Sequence, residues 1–326
     1  MLVIGFLVGL SVVRRLASTI ISDPQQITNT ALYALIAGVA GARIFHVIHY
    51  FHDYEGNLLS VFAVWKGGLE LLGGFIGAIT AVAIYLWYHK LPVRKCLDIL
   101  AIGLMIGLCF GRIGCFLRGC CYGKPADLPW AVRFPYGSDV YLSQVYPDTA
   151  RKRPSPQLRL PDDFFIYFER NNQVYTVLKS LDELTVEQKE QVKNGPYRCL
   201  PVHPTQLYSS VNAGLLGLIL YLFWRRNQRE DLSKSTRRLF AGNGSTFALV
   251  FILYGIARFF IEFVRDDNPF EYGWWTIYKG GTISQNLSVY IVIAGVVLMV
   301  IFNARKPQKS SSTSTKGKEI VYEGGN

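Results

Sequence analysis

Charge is nearly missing from long stretches of this chain, although the whole sequence holds 34 basic and 23 acidic residues among 326. With half of all residues hydrophobic, those stretches place the chain among integral membrane proteins. The six cysteines show no zinc spacing, which argues against a finger-type metal module. Neither an internal repeat nor a matched pair of interrupted hydrophobic segments is present, so a small-anion transporter built on paired half-helices is a poor reading. No basic segment precedes the apolar opening Leu2 to Val13 and no convincing small-residue cleavage site follows it, which argues against a cleaved signal peptide. The net charge of +11 falls in short segments between apolar runs, a pattern of membrane topology and not of nucleic-acid binding, so no nucleic acid is expected as a partner.

What the chain has is helices of membrane length. Apolar runs from Ile27 to Tyr50, Gly67 to Trp87, Leu97 to Leu117, Leu207 to Trp224, Thr246 to Val264 and Leu287 to Phe302 reach or approach the roughly 20 residues needed to cross a bilayer. Leu2 to Val13 is a shorter seventh, read as a truncated first helix, with Met1 an internal methionine of a longer reading frame. Basic residues follow alternate spans: Arg14 and Arg15; Lys90, Arg94 and Lys95; Arg225, Arg226, Arg229, Lys234, Arg237 and Arg238; then Arg305, Lys306, Lys309, Lys316 and Lys318. The positive-inside rule then puts the amino terminus outside and the carboxyl terminus in the cytoplasm.

The expected fold is therefore an all-α integral membrane protein of seven transmembrane helices with one inserted head. Residues 1–117 hold helices one to four, 118–205 a small extracytoplasmic α+β head, 206–303 helices five to seven, and 304–326 a disordered cytoplasmic tail. In the head, Phe164 to Phe168 and Gln173 to Leu178 alternate like strands. Leu181 to Lys193 reads as a polar helix, with Ser180 as N-cap and Glu183 completing a capping box. Cys120 or Cys121 leaves the membrane at one base of the head and Cys199 returns at the other, so a disulfide across the base is one reading. Cys115, Cys120 and Cys121 lack an obvious fourth metal ligand, and packing thiols are the plainer account of them.

Ionisable residues inside the spans each need a reason. Arg43 lies in the second span, Glu70 begins the third, Arg112 ends the fourth, and Arg258 with Glu262 sits in the sixth. Arg258 and Glu262 are four apart on one helix face, which suits a buried ion pair. Arg112 stands in Gly111-Arg112-Ile113-Gly114-Cys115-Phe116-Leu117-Arg118-Gly119-Cys120-Cys121-Tyr122-Gly123, where an apolar helix runs into a glycine-rich turn. Two guanidinium forks match the unbridged oxygens of a phosphodiester and stay charged at every relevant pH. They would also stabilise charge growing on a departing phosphate. Gly74, Gly114 and Gly119 permit close helix approach and offer backbone donors. His203-Pro204-Thr205-Gln206-Leu207-Tyr208 is a polar hexamer where the chain re-enters the membrane. Anionic lipid is the ligand this pattern suggests.

On these residues the chain resembles the prolipoprotein diacylglyceryl transferases. That family's Gly-Arg-x-Gly-Asn-Phe-x-Asn-Gly-Glu signature falls on Gly111 through Cys120, its His-Pro-Ser-Gln-Leu-Tyr segment on His203 through Tyr208, and its Arg-Phe-x-x-Glu stretch on Arg258 through Glu262. Weaker agreement appears at Gly41-Ala42-Arg43, at Trp65 through Gly77, and at Ser284-Gln285. The resemblance implies a multi-pass enzyme of the bacterial inner membrane that moves the diacylglyceryl group of phosphatidylglycerol to the lipobox cysteine of a prolipoprotein signal peptide. It implies no metal and no diffusible cofactor. Arg112, Arg258 and Glu262 would be catalytic. Arg112, Gly74, Gly114, Gly119, His203, Gln206, Tyr208 and Gln285 would bind substrate. Departures are Leu72 where the family has His before Gly-Gly, Cys115 and Arg118 for two asparagines, and Cys120 for the glutamate. An altered paralogue that binds lipid or precursor without transfer is therefore the alternative. His46 and His49 are weak candidates for a replacement base, and Arg118 for a compensating cation.

Overall fold

The computed structural model describes residues 1–54, 58–63, 67–170, 173–231, 242–270 and 273–304. Ala304, expected to open the tail, instead ends the last helix, and residues 305–326, together with Trp65, Lys234, Arg237 and Arg238, lie outside the described residues. The helices are α1 (Leu2–Ala17), α2 (Gln25–His49), α3 (Leu71–Tyr88), α4 (Val93–Arg118), α5 (Asp139–Val145), α6 (Val186–Lys193), α7 (Thr205–Asp231), α8 (Ser245–Ile261) and α9 (Ile283–Ala304). Two strands, β1 (Phe165–Arg170) and β2 (Gln173–Leu178), pair antiparallel with Phe165 opposite Leu178.

Five helices among the described residues are long and apolar enough to cross a membrane: 25–49, 93–118, 205–228, 245–264 and 283–304. The other two apolar helices are shorter. α1 is longer than its uncharged stretch suggested and extends past Arg14 and Arg15 to Ala17. α3 starts at Leu71 and not at Gly67, because Gly67 and Gly68 take positive φ of 89° and 72°, outside helical geometry.

Packing is by close approach of small residues, since lipid tails are as apolar as the side chains and give little drive to helix association. α2 lies along α3, and a Cβ on Gly41 would strike the Gly73 carbonyl, so only glycine allows that approach. α4 is central, with α1 on one side and α7 and α8 beyond it, while α8 lies along α9. The shared core includes Val13 and Ala17 of α1, Ile99 and Ile102 of α4, and Leu216 and Leu220 of α7. Ile36, Ile79 and Trp87 are exposed, as expected of residues facing lipid.

Between α4 and α7 the chain builds a second core from Tyr141, Phe164, Leu178, Leu184, Val192 and Cys199. Here two sequence expectations are corrected. The polar helix does not run from Leu181: a single tight turn, Leu181–Glu183, is closed by the Ser180–Glu183 capping box, and α6 begins afresh behind Thr185, whose own box pairs with Gln188. The basal disulfide is also absent. All six cysteines are free, and Cys199 is buried in the head core with its sulfur 3.4 Å from Gln144 Oε1.

Candidate active site

Arg258, near the end of α8, points at Glu262 through one terminal nitrogen and at Ser284 Oγ, 2.9 Å away, through the other. Glu262 is only 3% exposed. Its second oxygen accepts from Asn268 Nδ2 at 2.7 Å and Thr282 Oγ1 at 2.8 Å. Arg265 approaches the same carboxylate at 3.7 Å and pairs with Asp267, its Nε 2.8 Å from Oδ1. Burial opposes the charge on Arg265, but Asp267, Cys121 and Glu262 outweigh it and hold its pKa above the usual guanidinium value. Sequence reading had Arg258 and Glu262 and touched Ser284 through the family resemblance, but missed Arg265, Asp267, Asn268 and Thr282, which reach the site from the segment between α8 and α9. An Arg-Asp-Asp-Asn run just past a membrane span was the available signal.

That loop is stitched to the head. Lys124 N–H donates to the Val264 carbonyl at 2.9 Å and Asp266 N–H to the Tyr122 carbonyl at 3.2 Å. Arg151 reaches the Tyr122 hydroxyl at 2.6 Å, and Arg153 the Asp266 carboxylate at 3.1 Å. The stitching sets Arg265 beside Cys121. The hydrogen-bonded Cys115 thiol, with Arg265 and Arg112, draws the Cys121 thiol down to about 5 against the effect of burial. Arg112 and Arg258 thus flank one charged group that runs Arg112, Cys121, Arg265, Glu262, Arg258. Arg112 is half-buried on α4. Among the described residues it has no hydrogen-bond or ion-pair partner.

The remaining sequence candidates divide by what they touch. Gln206 is fully buried; its Nε2 donates to the Cys120 carbonyl at 2.8 Å and its Oε1 is unpartnered among the described residues. His203 Nδ1 lies 3.4 Å from the Tyr208 hydroxyl, which accepts from Trp130 Nε1 at 2.7 Å. Gln285 spends its side-chain oxygen on the Thr282 N–H, 3.0 Å away, at the start of α9. Gly74 faces Gly38 and Ala42 of α2, and Gly114 faces Met1. Gly119 takes φ 83° and uses its N–H to close α4, so it offers no free donor. Arg43 donates to the carbonyls of Ser60, Val61, Gly67 and Gly68 and holds the connection before α3. His49 Nδ1 pairs with Glu70 at 2.8 Å on the surface. Leu72 is 63% exposed, and Arg118 is exposed at the last position of α4.

The sequence profile of the prolipoprotein diacylglyceryl transferases matches residues 1–301. The chain belongs to that family. Among similar proteins, one from Rhodopirellula baltica named phosphatidylglycerol–prolipoprotein diacylglyceryl transferase is 28% identical over 329 residues, covering 85% of this chain and 66% of its own length. Proteins of the same name from Burkholderia cenocepacia and Buchnera aphidicola are 28% and 29% identical, covering 85% and 83% of this chain and 78% of their own lengths in both cases. The chain thus spans just under two thirds of the Rhodopirellula protein.

Proposed function

We propose that this protein transfers the diacylglyceryl group of phosphatidylglycerol to the lipobox cysteine thiol of a prolipoprotein, releasing glycerol phosphate. The observation that carries this reading is Arg112, unpaired among the described residues and linked electrostatically through Cys121 and Arg265 to the buried Arg258–Glu262 pair. A membrane-depth guanidinium without a partner is costly, and a lipid phosphate would supply the partner. Arg258 is held in place by Glu262 and Ser284, so it needs no reorganisation to meet an anion. As the C–O bond breaks, the phosphate gains a second negative charge between the two guanidiniums. His203 and Tyr208, half-buried at the start of α7, would meet the substrate, while the buried Gln206 holds the Cys120 carbonyl. On this reading the chain crosses the inner membrane seven times, α1 and α3 included, with amino terminus outside, carboxyl terminus inside, and residues 118–205 as a head on the outer face.

The test is thioether formation on a lipobox peptide by purified protein in phosphatidylglycerol vesicles, read by mass. Arg112→Ala is expected to lower the rate by about 10²–10³-fold, the usual loss for one preorganised donor, while Arg118→Ala changes it less than about twofold, as surface substitutions generally do. An unchanged rate in Arg112→Ala would remove the proposed site. One observation favours a second reading, a lipid-binding paralogue without transfer: Leu72 leaves the family's histidine position apolar. That reading predicts saturable phosphatidylglycerol binding with no glycerol phosphate release.

A further inference from the structure

Transfer to a thiol requires a thiolate, and a thiol of ordinary pKa near 8.5 is mostly protonated at neutral pH. With Leu72 apolar, the chain lacks the imidazole that its family resemblance would supply. In its place the signature carries three thiols, and the sulfurs of Cys115, Cys120 and Cys121 all lie within 4.8 Å of one another.

The backbone makes this arrangement. At the end of α4 the Gly119 N–H bonds back to the Phe116 carbonyl and the Cys120 N–H to the Cys115 carbonyl, both at 3.2 Å. This is the Schellman wrap, which lays the residue after the glycine against the residue five earlier. Cys121 follows at φ 57°. The start of α7 then fixes both carbonyls, Thr205 Oγ1 to Cys121 and Gln206 Nε2 to Cys120, each at 2.8 Å. Gln206 Oε1, on the same amide, is buried without a donor among the described residues. A buried acceptor left open beside three gathered thiols points to a ligand the chain does not itself provide.

We propose, building on the transfer reaction above, that Cys115, Cys120 and Cys121 hold a zinc-class divalent ion whose fourth position receives the substrate cysteine. Three protein ligands and one open position are the pattern of catalytic zinc sites. Tetrahedral zinc with bonds of about 2.3 Å places its sulfurs about 3.8 Å apart, so the three side chains need close by no more than about 1 Å. In the resting site a water takes the fourth position. The substrate thiol displaces it and gives up its proton to solvent, because a coordinated thiol is deprotonated. Its sulfur lone pair then forms the C–S bond to the glyceryl carbon while the C–O bond to phosphate breaks. The electron pair leaves on the phosphate oxygen, between Arg112 and Arg258. The product thioether is neutral, binds the ion weakly and is replaced by water.

The experiment uses the full chain in phosphatidylglycerol nanodiscs equilibrated with zinc, then freed of excess. Metal analysis and X-ray absorption are expected to give one zinc per chain with three sulfurs at about 2.3 Å. Cys120→Ser and Cys121→Ser should lose the ion while still binding phosphatidylglycerol, which shows that they fold, and Cys109→Ser should keep it. Chelation should lower peptide transfer at least tenfold, and added zinc should restore it, with lipid binding unchanged. Absence of stoichiometric zinc, or full-rate transfer by metal-free protein, would overturn the metal site and leave the transferase reading standing. Bound zinc with no thioether product under any condition would instead overturn the transferase reading and the ion's part in it.

Discussion

Glu262 and Arg112 are opposite solutions to a charge in an apolar bundle. Glu262 has four partners and is almost completely buried, whereas Arg112 has none among the described residues. A satisfied carboxylate fixes structure; an unsatisfied guanidinium waits for a ligand. Asp98 belongs with the first kind. It lies on α4, 4% exposed, and its two oxygens accept the Gly244 and Phe247 N–H groups at 2.7 and 2.8 Å, so one helix caps the start of another. Sequence reading passed over it, because one acid in a long apolar run does not disturb the hydropathy and its partners are nearly 150 positions away. Asp98→Ala orphans both donors and is expected to cost about 1–3 kcal/mol. Thermal unfolding in detergent should show the loss, while lipid binding per folded molecule stays at the wild-type level. The pair Arg258–Glu262 was legible for the opposite reason: its two members are four apart on one face.

Elements were legible where one rule governed and blurred where two competed. α2, α4, α8 and α9 emerged within a few residues of their hydropathy runs, because nothing else in those stretches opposes a helix, while α7 continues seven residues past Trp224 into its polar end. The polar stretch after β2 carried two capping boxes five residues apart, Ser180 with Glu183 and Thr185 with Gln188, and sequence reading took the first as the start of the whole helix. The structure gives the longer helix to the second, so Thr185→Ala should destabilise the head by about 1 kcal/mol. Ser180→Ala, which frees only a single turn, should cost less in the same chemical denaturation series. Gln285 teaches the same lesson. Expected among the substrate-binding residues, it also forms with Thr282 the Thr-x-x-Gln box that opens α9, a pattern visible in the sequence but not read there. The Cys115–Cys120 juxtaposition was equally available, since a glycine after a helix predicts which side chains its cap will stack.

For the whole molecule the question is which side of the membrane the site faces. The substrate of the proposed reaction is an exported precursor, so the lipobox cysteine must meet Arg112 and Arg258 from the outer leaflet. The head, α4's carboxyl end and the start of α7 share one end of the bundle, joined through Thr205 and Gln206 to Cys121 and Cys120. At the other end Arg14 and Arg15 close α1, and Arg94 opens α4. Basic residues favour the cytoplasmic side, so the proposed reading places the head outside. Val186, 86% exposed on the head, and Ser18, exposed after α1, lie at opposite ends of this scheme. In intact cells a membrane-impermeant maleimide should label Val186→Cys above the wild-type background. Ser18→Cys should label only after permeabilisation. The reverse pattern would put the arginine pair on the cytoplasmic side, where a precursor still in transit cannot present its cysteine to a phosphate held between them.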